Sequence, residues 1–132
     1  MIVRSGRTTT AVPHEPACSP SAAVRLLQQR VVLERSVAIL AAMAHPTRLL
    51  VLHALAQYGA LPVGELQEIS ETEQTALSHQ LRVLRKADLV RATRSGRRIL
   101  YDLKDHHVAH IVEDSISHAR ETASTMPSKA GR

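Results

Sequence analysis

Bulky aromatic residues are almost missing from this sequence. Of its 132 residues none is Phe or Trp, and Tyr58 and Tyr101 are its two tyrosines. A core must therefore be built from Leu, Val, Ile and Ala. A small aliphatic core often gains stability when an apolar helix face is buried against a second copy of the chain. The length fits one domain and is too short for two independent ones.

Cysteine and long apolar runs are also scarce. Cys18 is the one cysteine, which excludes an intrachain disulfide and suits a reducing compartment. The sequence has no apolar run of about 18 residues and no signal-peptide core, so we expect a soluble, cytoplasmic protein without a membrane partner.

Positive charge is present and unevenly distributed. The formal net charge is +5, and the segment 82–104 holds eight basic residues but two acidic ones, Asp88 and Asp102. Such a segment can neutralise nucleic-acid phosphates and release their counterions. An isolated basic run is more often a solvated surface, so the charge needs a structural context before it indicates DNA binding.

Hydrophobic periodicity predicts a mainly α-helical domain with one small β-hairpin. Helices are predicted at 21–44 (interrupted at most once), 47–58, 63–69, 74–87 and 105–122, and strands at 89–94 and 97–103. Pro46 and Pro62 open helices, Gly59 ends one, and Ser95 and Gly96 separate the strands. Residues 1–20 and 125–132 lack periodicity and are predicted to be a flexible arm and tail around one domain, 21–124.

The helix predicted at 74–87 has two different faces. Leu77, Leu81 and Leu84 form an apolar stripe, and polar side chains occupy another face. Helix, turn, polar-faced helix and basic hairpin is the element order of a winged helix-turn-helix, whose second helix enters the major groove. We therefore predict base contacts from short polar side chains and phosphate contacts from arginines. The predicted base-reading residues are Gln74, Thr75, Ser78 and His79, and the predicted phosphate-binding residues are Arg82, Arg94, Arg97 and Arg98.

Four segments carry a specific resemblance to a known family. They are HPTRL at 45–49, PVGEL at 62–66, LSHQLRVLR at 77–85 and GRRILY at 96–101. In this order and spacing they resemble the ArsR/SmtB family of repressors over about residues 35–121. The resemblance implies a dimeric winged helix-turn-helix of four helices, a two-stranded wing and a fifth helix. It also implies a homodimer that binds a palindromic operator and releases it when an inducer, usually a metal ion, is bound.

Histidines are concentrated in the last predicted helix, where four of the eight lie between His106 and His118. Along one helix His107 and His118 are separated by about 16 Å but by nearly three whole turns, so they share a face that one ion cannot bridge. If two copies pair antiparallel, Asp105 and His107 meet His118 and Glu121 of the other copy, which gives two equivalent sites. Two imidazoles and two carboxylates suit tetrahedral zinc or cobalt.

The same spacing matches the carboxy-terminal-helix metal site of the zinc-sensing branch of the family. The resemblance therefore implies that Asp105, His107, His118 and Glu121 are the ligands. It also implies that the second ring nitrogen of His118 bonds a backbone carbonyl near Asp88, which would link the site to the reading helix. We predict zinc as the cofactor, with cobalt and nickel as alternatives, and no small organic substrate.

Some residues and functions stay open at this point. His106 and His110 either extend the coordination toward a six-coordinate nickel site or are simply exposed. His14 and Cys18 resemble half of an accessory site in some relatives, but no cysteine partner lies in 63–66, which favours a free surface thiol.

Two alternative functions are a regulator driven by a non-metal signal and a zinc-dependent enzyme. The enzyme is disfavoured because the sequence has no HExxH arrangement, nucleophile triad or phosphate-binding loop. A site with four protein ligands also has no open position for water. We therefore predict a regulator that is not an enzyme.

Overall fold

The computed structural model describes residues 20–125 and confirms a mainly helical fold with a small sheet. Its elements are α1 (Pro20–Gln28), α2 (Arg30–Met43), α3 (Pro46–Tyr58), β1 (Leu61–Pro62), α4 (Val63–Ser70), α5 (Gln74–Lys86), β2 (Val90–Ser95), β3 (Arg98–Leu103) and α6 (His106–Thr125). Pro20 and Thr125 belong to helices, and the rest of the predicted arm and tail lies outside the described residues.

The chain divides into two compact units between Glu34 and Arg35. In the first unit the helix is interrupted once, at Gln29, whose N–H donates to the carbonyls of Arg25 and Leu26. This is the single interruption allowed for in 21–44. In the described part of this unit, 20–34, six large apolar side chains are 51–68% exposed, and they are Val24, Leu26, Leu27, Val31, Val32 and Leu33.

Helix α3 begins and ends as its local sequence dictates. The Nδ1 of His45 accepts a hydrogen bond from the Thr47 N–H at 3.2 Å, and Pro46 occupies the first turn, where no N–H is needed. The helix stops at Gly59, which adopts a positive φ of 78° and donates to the Leu55 carbonyl. Both predicted boundaries are therefore confirmed.

Within 20–125 no single helix is long and apolar enough to cross a membrane. Helices α2 and α3 reach the length and apolar composition of a membrane span only when they are counted as one segment, and that segment bends by 95° at their junction.

Helices α4 and α5 form the helix-turn-helix. Helix α4 follows Pro62 and ends at Ser70, and the next residue, Glu71, adopts the left-handed conformation with a φ of 50°. Helix α5 then starts at Gln74, three residues later. Leu66 of α4 and the predicted stripe of α5, Leu77, Leu81 and Leu84, are at most 2% exposed, so this stripe is the face that packs.

The sheet has three strands, whereas the sequence predicted a two-stranded hairpin. Strand β1 pairs antiparallel with β3, with Leu61 opposite Tyr101, and the strand order is β1-β3-β2. A strand of two residues is too short to show alternation, and its Pro62 fits an edge position because an edge strand tolerates a missing N–H donor.

The wing turn is also shifted by one residue from the prediction. Ser95 pairs with Arg98, so the loop is Gly96–Arg97 and not Ser95–Gly96. Gly96 has a φ of 62°, and a glycine at the first of two loop positions is typical of hairpin turns that follow the twist of the strands.

The core of the second unit is aliphatic, as the composition required. Its buried members are Met43, Val51, Leu52, Ala54, Leu55, Leu61, Leu66, Leu77, Leu81, Leu84, Leu89, Val90, Leu103, Val108 and Val112. Helix α6 contacts α3 and contributes Val108 and Val112 to this core. Ile111, Ser115 and Ala119, which lie beside these two valines on the helix surface, are exposed instead. Helix α6 therefore retains an uncovered apolar edge beside its packed one.

Candidate nucleic-acid interface and metal-binding helix

The face of α5 opposite its leucines is accessible. All five residues predicted on α5 for DNA contact are exposed, and they are Gln74, Thr75, Ser78, His79 and Arg82. The buried leucines fix the rotation of the helix about its axis, because turning it would expose them to water. The polar face is consequently held outward, in the orientation that groove reading requires.

The wing presents its arginines at the tip of the β2–β3 hairpin. Arg94, Arg97 and Arg98 are all exposed. The Arg94 Nε donates to the Gly96 carbonyl at 3.3 Å, which holds this side chain against the turn. Farther from the tip, Arg91 and Asp102 form an ion pair at 3.5 Å across the two strands. Positive charge is therefore concentrated at the tip and partly neutralised at the base of the hairpin.

A groove of about 650 Å³ separates the start of α5 from the wing. Gln74 and Ser78 line one side and Arg97 and Arg98 line the other, so two kinds of predicted DNA-contacting residue face one concave surface. Two carboxylates of α4, Glu65 and Glu68, line it as well. Their place in the groove was not predicted, because it depends on the distance between α4 and a wing more than 25 residues away in the chain.

Arg48 joins three helices. Its Nε donates to the Ala42 carbonyl of α2 at 2.6 Å, and its Nη1 donates to the Gln80 Oε1 of α5 at 2.8 Å. The sequence analysis included Arg48 in a family-like motif but assigned it no role. The sequence alone could not predict this contact, because Gln80 lies 32 residues farther along the chain than Arg48.

The four predicted metal ligands lie on α6 or immediately before it. Asp105 precedes the helix, and its Oδ1 accepts a hydrogen bond from the Val108 N–H at 3.2 Å, so this carboxylate caps the helix and keeps its second oxygen available. His107, His118 and Glu121 are exposed. Among residues 20–125 of one protomer, no three or more His, Cys, Asp or Glu side chains converge as a metal site.

The predicted link between His118 and the backbone near Asp88 is not formed in the described chain. Over residues 20–125 the His118 side chain makes no hydrogen bond, and the Asp88 carboxylate pairs with the Lys104 Nζ at 3.2 Å. Asp88 adopts a positive φ of 60° between α5 and β2. The link therefore stays a prediction.

Two further histidines adjoin the predicted ligands. The ring of His106 lies 4.0 Å from that of His107 and 5.8 Å from that of His110, measured between centroids. His14 and Cys18, the other open candidates, lie outside the described residues.

Comparison with known proteins agrees with this geometry. A model described as a helix-turn-helix domain matches residues 43–92, which include α3, α4, α5 and the start of β2. The transcriptional repressor SmtB of Mycobacterium tuberculosis is 38% identical over 94 residues, which cover 71% of this chain and 69% of that repressor. The chain belongs to the ArsR/SmtB family of DNA-binding transcriptional regulators.

Other members of the ArsR/SmtB family are also similar to this chain. The regulator NmtR of M. tuberculosis is 49% identical over 80 residues, and the chain spans about two thirds of its length, 66%. These 80 residues cover 61% of the chain. A cadmium resistance regulatory protein, the CadC homolog of Staphylococcus aureus, is 32% identical over 83 residues, which cover 63% of the chain and 69% of that protein.

A solved structure supports the winged fold. A homodimeric winged helix-turn-helix DNA-binding domain from Mycobacterium bovis, described as a possible ArsR-family regulator, superimposes with a TM-score of 0.68 at 26% identity. The match covers 75% of this chain and 91% of that domain. The ArsR/SmtB relatives are transcriptional regulators and not enzymes, which confirms the prediction that this chain is not an enzyme.

Proposed function

We propose that this chain is a metal-responsive repressor that binds palindromic operator DNA as a homodimer and releases it when zinc binds between paired α6 helices. One observation carries the proposal. His107 and His118 are both exposed on α6, three turns apart, so a single protomer supplies half of a site at each end of the helix. An antiparallel second copy supplies the other half of each.

The case for a dimer begins with uncovered apolar surface. In the second unit Val37 is 66% exposed, Leu40 is 53% exposed and Ile111 is 39% exposed. A shallow apolar cavity of about 170 Å³ between α2, α3 and α6 is lined by Leu40, Ile111 and Ser115, among others. Burying such surface is favourable by roughly 25 cal/mol per Å². The M. bovis relative is described as homodimeric, and we infer the same state for this chain.

The donor set fits a borderline transition metal. Asp105 and His107 of one protomer and His118 and Glu121 of the other would supply two imidazole nitrogens and two carboxylate oxygens. Within the described 20–125, the side chains of His118 and Glu121 form no hydrogen bond or ion pair with another residue, so neither of these two ligands has to give up such a contact. A zinc ion bound there would be coordinated by both subunits and would cross-link them. Cobalt and nickel remain alternatives, because they accept the same nitrogen and oxygen donors.

The packing of α6, α3 and α5 can transmit a change at the metal site to the proposed DNA-binding helix. Helix α6 contacts α3, and Arg48 of α3 bonds Gln80 on the reading helix α5 at 2.8 Å. A dimer reads two successive major grooves, about 34 Å apart, so the spacing of its two α5 helices decides whether both bind. Fixing the two α6 helices in one arrangement would therefore change operator affinity, and the coupling is reciprocal. Because its partner is chromosomal DNA, we place the repressor in the cytoplasm.

The proposal is tested by measuring operator affinity as zinc is added. A duplex operator is first selected from a random library with the metal-free full-length protein, and binding is then followed by fluorescence anisotropy at fixed salt. We expect zinc to weaken binding by about 5- to 150-fold, the range typical of allosteric coupling. The variant H107A/H118A should keep the metal-free affinity and lose the zinc effect.

The matched control for this experiment is His110→Ala. It also removes an exposed imidazole from α6, but one outside the four proposed ligands, so its zinc response should equal that of the unmodified protein. If H107A/H118A still releases the operator when zinc is added, the α6 site is not the sensor. If zinc leaves the unmodified protein bound, the regulator responds to another signal.

A further inference from the structure

His106 and His110 form an imidazole pair on α6 that the proposed function does not use. Their ring centroids are 5.8 Å apart and their planes meet at 78°. Both residues are exposed. In an α-helix residues four positions apart lie on one face, and two histidines at this spacing hold a metal ion in other helices.

We propose that His106 and His110 bind a divalent transition-metal ion at a second site, complete within one protomer. Two imidazoles that share an ion through metal–nitrogen bonds of about 2.0–2.1 Å have ring centroids roughly 4.5–5.2 Å apart. The observed 5.8 Å is close to this value. Small side-chain rotations, which exposed residues undergo freely, close the remaining gap.

The orientation of the pair separates it from the other two surfaces of α6. At about 100° per residue, the direction of His106 and His110 is about 160° from that of Val108 and Val112, which are at most 6% exposed. The same construction puts the pair about 90° from the face of His107 and His118. The second site therefore faces neither the core nor the proposed partner helix, and it stays accessible when two copies pair.

The number of protein ligands determines which metals this site binds and how tightly it binds them. Two neutral imidazoles suit nickel, copper and zinc, and the remaining coordination positions are left to water. We expect weaker binding than at a four-ligand site.

The test counts nickel ions bound to the full-length protein by equilibrium dialysis. The starting variant is H107A/H118A, in which the proposed intersubunit site is absent, and circular dichroism checks that each variant is folded. We expect this variant to bind one nickel ion per protomer and to bind none after His106→Ala and His110→Ala are added. The second site does not rest on the proposed function, because both of its ligands belong to one helix.

A pair of matched variants tests the spacing directly. Both start from H106A/H107A/H118A, which keeps His110. Adding Asp114→His places an imidazole four residues after His110, and nickel binding should return. Adding Ser117→His places the same group seven residues after His110, about 10 Å away along the helix, and nickel binding should stay absent. Asp114 and Ser117 are both exposed, so neither change disturbs the core.

The outcomes separate the two sites. If H107A/H118A binds no nickel, or if its nickel survives His106→Ala and His110→Ala, the second site does not exist, and the proposed zinc sensor is unaffected. If H106A/H110A still binds every ion that the unmodified protein binds, the second site is likewise refuted. Loss of nickel in H106A/H110A together with full retention in H107A/H118A would support the second site and show that nickel does not occupy the intersubunit one.

Discussion

Arg48 donates to the Gln80 side chain across 2.8 Å and so connects α3 to the reading helix α5. The same guanidinium holds the Ala42 carbonyl near the end of α2 at 2.6 Å. Because Arg48 is half-buried, its removal would leave the Ala42 carbonyl and the Gln80 side chain without this hydrogen-bond donor, at a site partly shielded from water. Helix α5 is thus held partly by a residue that does not lie on its proposed DNA-contacting face.

The first prediction concerns this contact. A double-mutant cycle with Arg48→Ala and Gln80→Ala should give a coupling of about 1.5–3 kcal/mol in the free energy of unfolding, the usual size of a hydrogen bond involving one charged group. Urea denaturation measures it. Arg85→Ala removes an exposed arginine of α5 and should change stability by less than about 0.5 kcal/mol. A zero coupling would mean that the two side chains do not interact in solution.

The second prediction separates phosphate binding from base reading. Arg82→Ala should weaken binding to all DNA sequences and lower the slope of log affinity against log salt by about one unit, because one phosphate contact is lost. Ser78→Ala should leave this slope unchanged and reduce the preference for the selected operator over random duplex. Titrations at several salt concentrations measure both quantities. Equal salt slopes for Arg82→Ala and the unmodified protein would refute the phosphate contact.

The third prediction concerns the dimer. Ile111→Glu places a charge on the uncovered edge of α6, where the side chain is 39% exposed, so the protomer should stay folded while the dimer dissociates. Sedimentation velocity measures the state of association. Ile99→Glu is the control, because Ile99 is 49% exposed on the wing and should not affect dimerisation. An Ile111→Glu protein that remains dimeric would place the interface elsewhere.

The fourth prediction compares a buried leucine and an exposed leucine of α3. Leu52 is 0% exposed and Leu50 is 38% exposed. Leu52→Ala should lower the free energy of unfolding by about 2–5 kcal/mol, since it removes a buried side chain and leaves a cavity. Leu50→Ala should cost far less. Similar losses for the two variants would indicate that Leu50 is also buried in solution, for example against a second copy.

The sequence predicted the helices well because each has a strong local signal. Pro46 and Gly59 set the bounds of α3, and Leu77, Leu81 and Leu84 set the packed face of α5. Strand β1 was missed because two residues carry no periodicity and its pairing with Tyr101 spans 40 positions of sequence. Long-range contacts of this kind depend on how elements pack and leave no local pattern.

The sequence predicted the candidate DNA-binding surface and the candidate metal site to different extents. Exposure of the α5 polar face follows from helical periodicity, so these residues were found, although their DNA contacts stay predictions. The role of Arg48 and the presence of Glu65 in the wing groove were not foreseen, because both depend on distances between separate elements. The proposed metal site would involve two protomers, and the sequence supports it through spacing and family resemblance.

The central claim is that each metal site is shared between two protomers, and subunit mixing tests it most directly. One variant, D105A/H107A, lacks the first half of the ligand set, and another, H118A/E121A, lacks the second half. Each homodimer should fail to give the absorption bands of tetrahedral cobalt. A heterodimer of the two, isolated with two non-histidine tags, should regain one such site per dimer against two in the unmodified protein. Tetrahedral cobalt in either homodimer, or none in the heterodimer, would contradict the shared site.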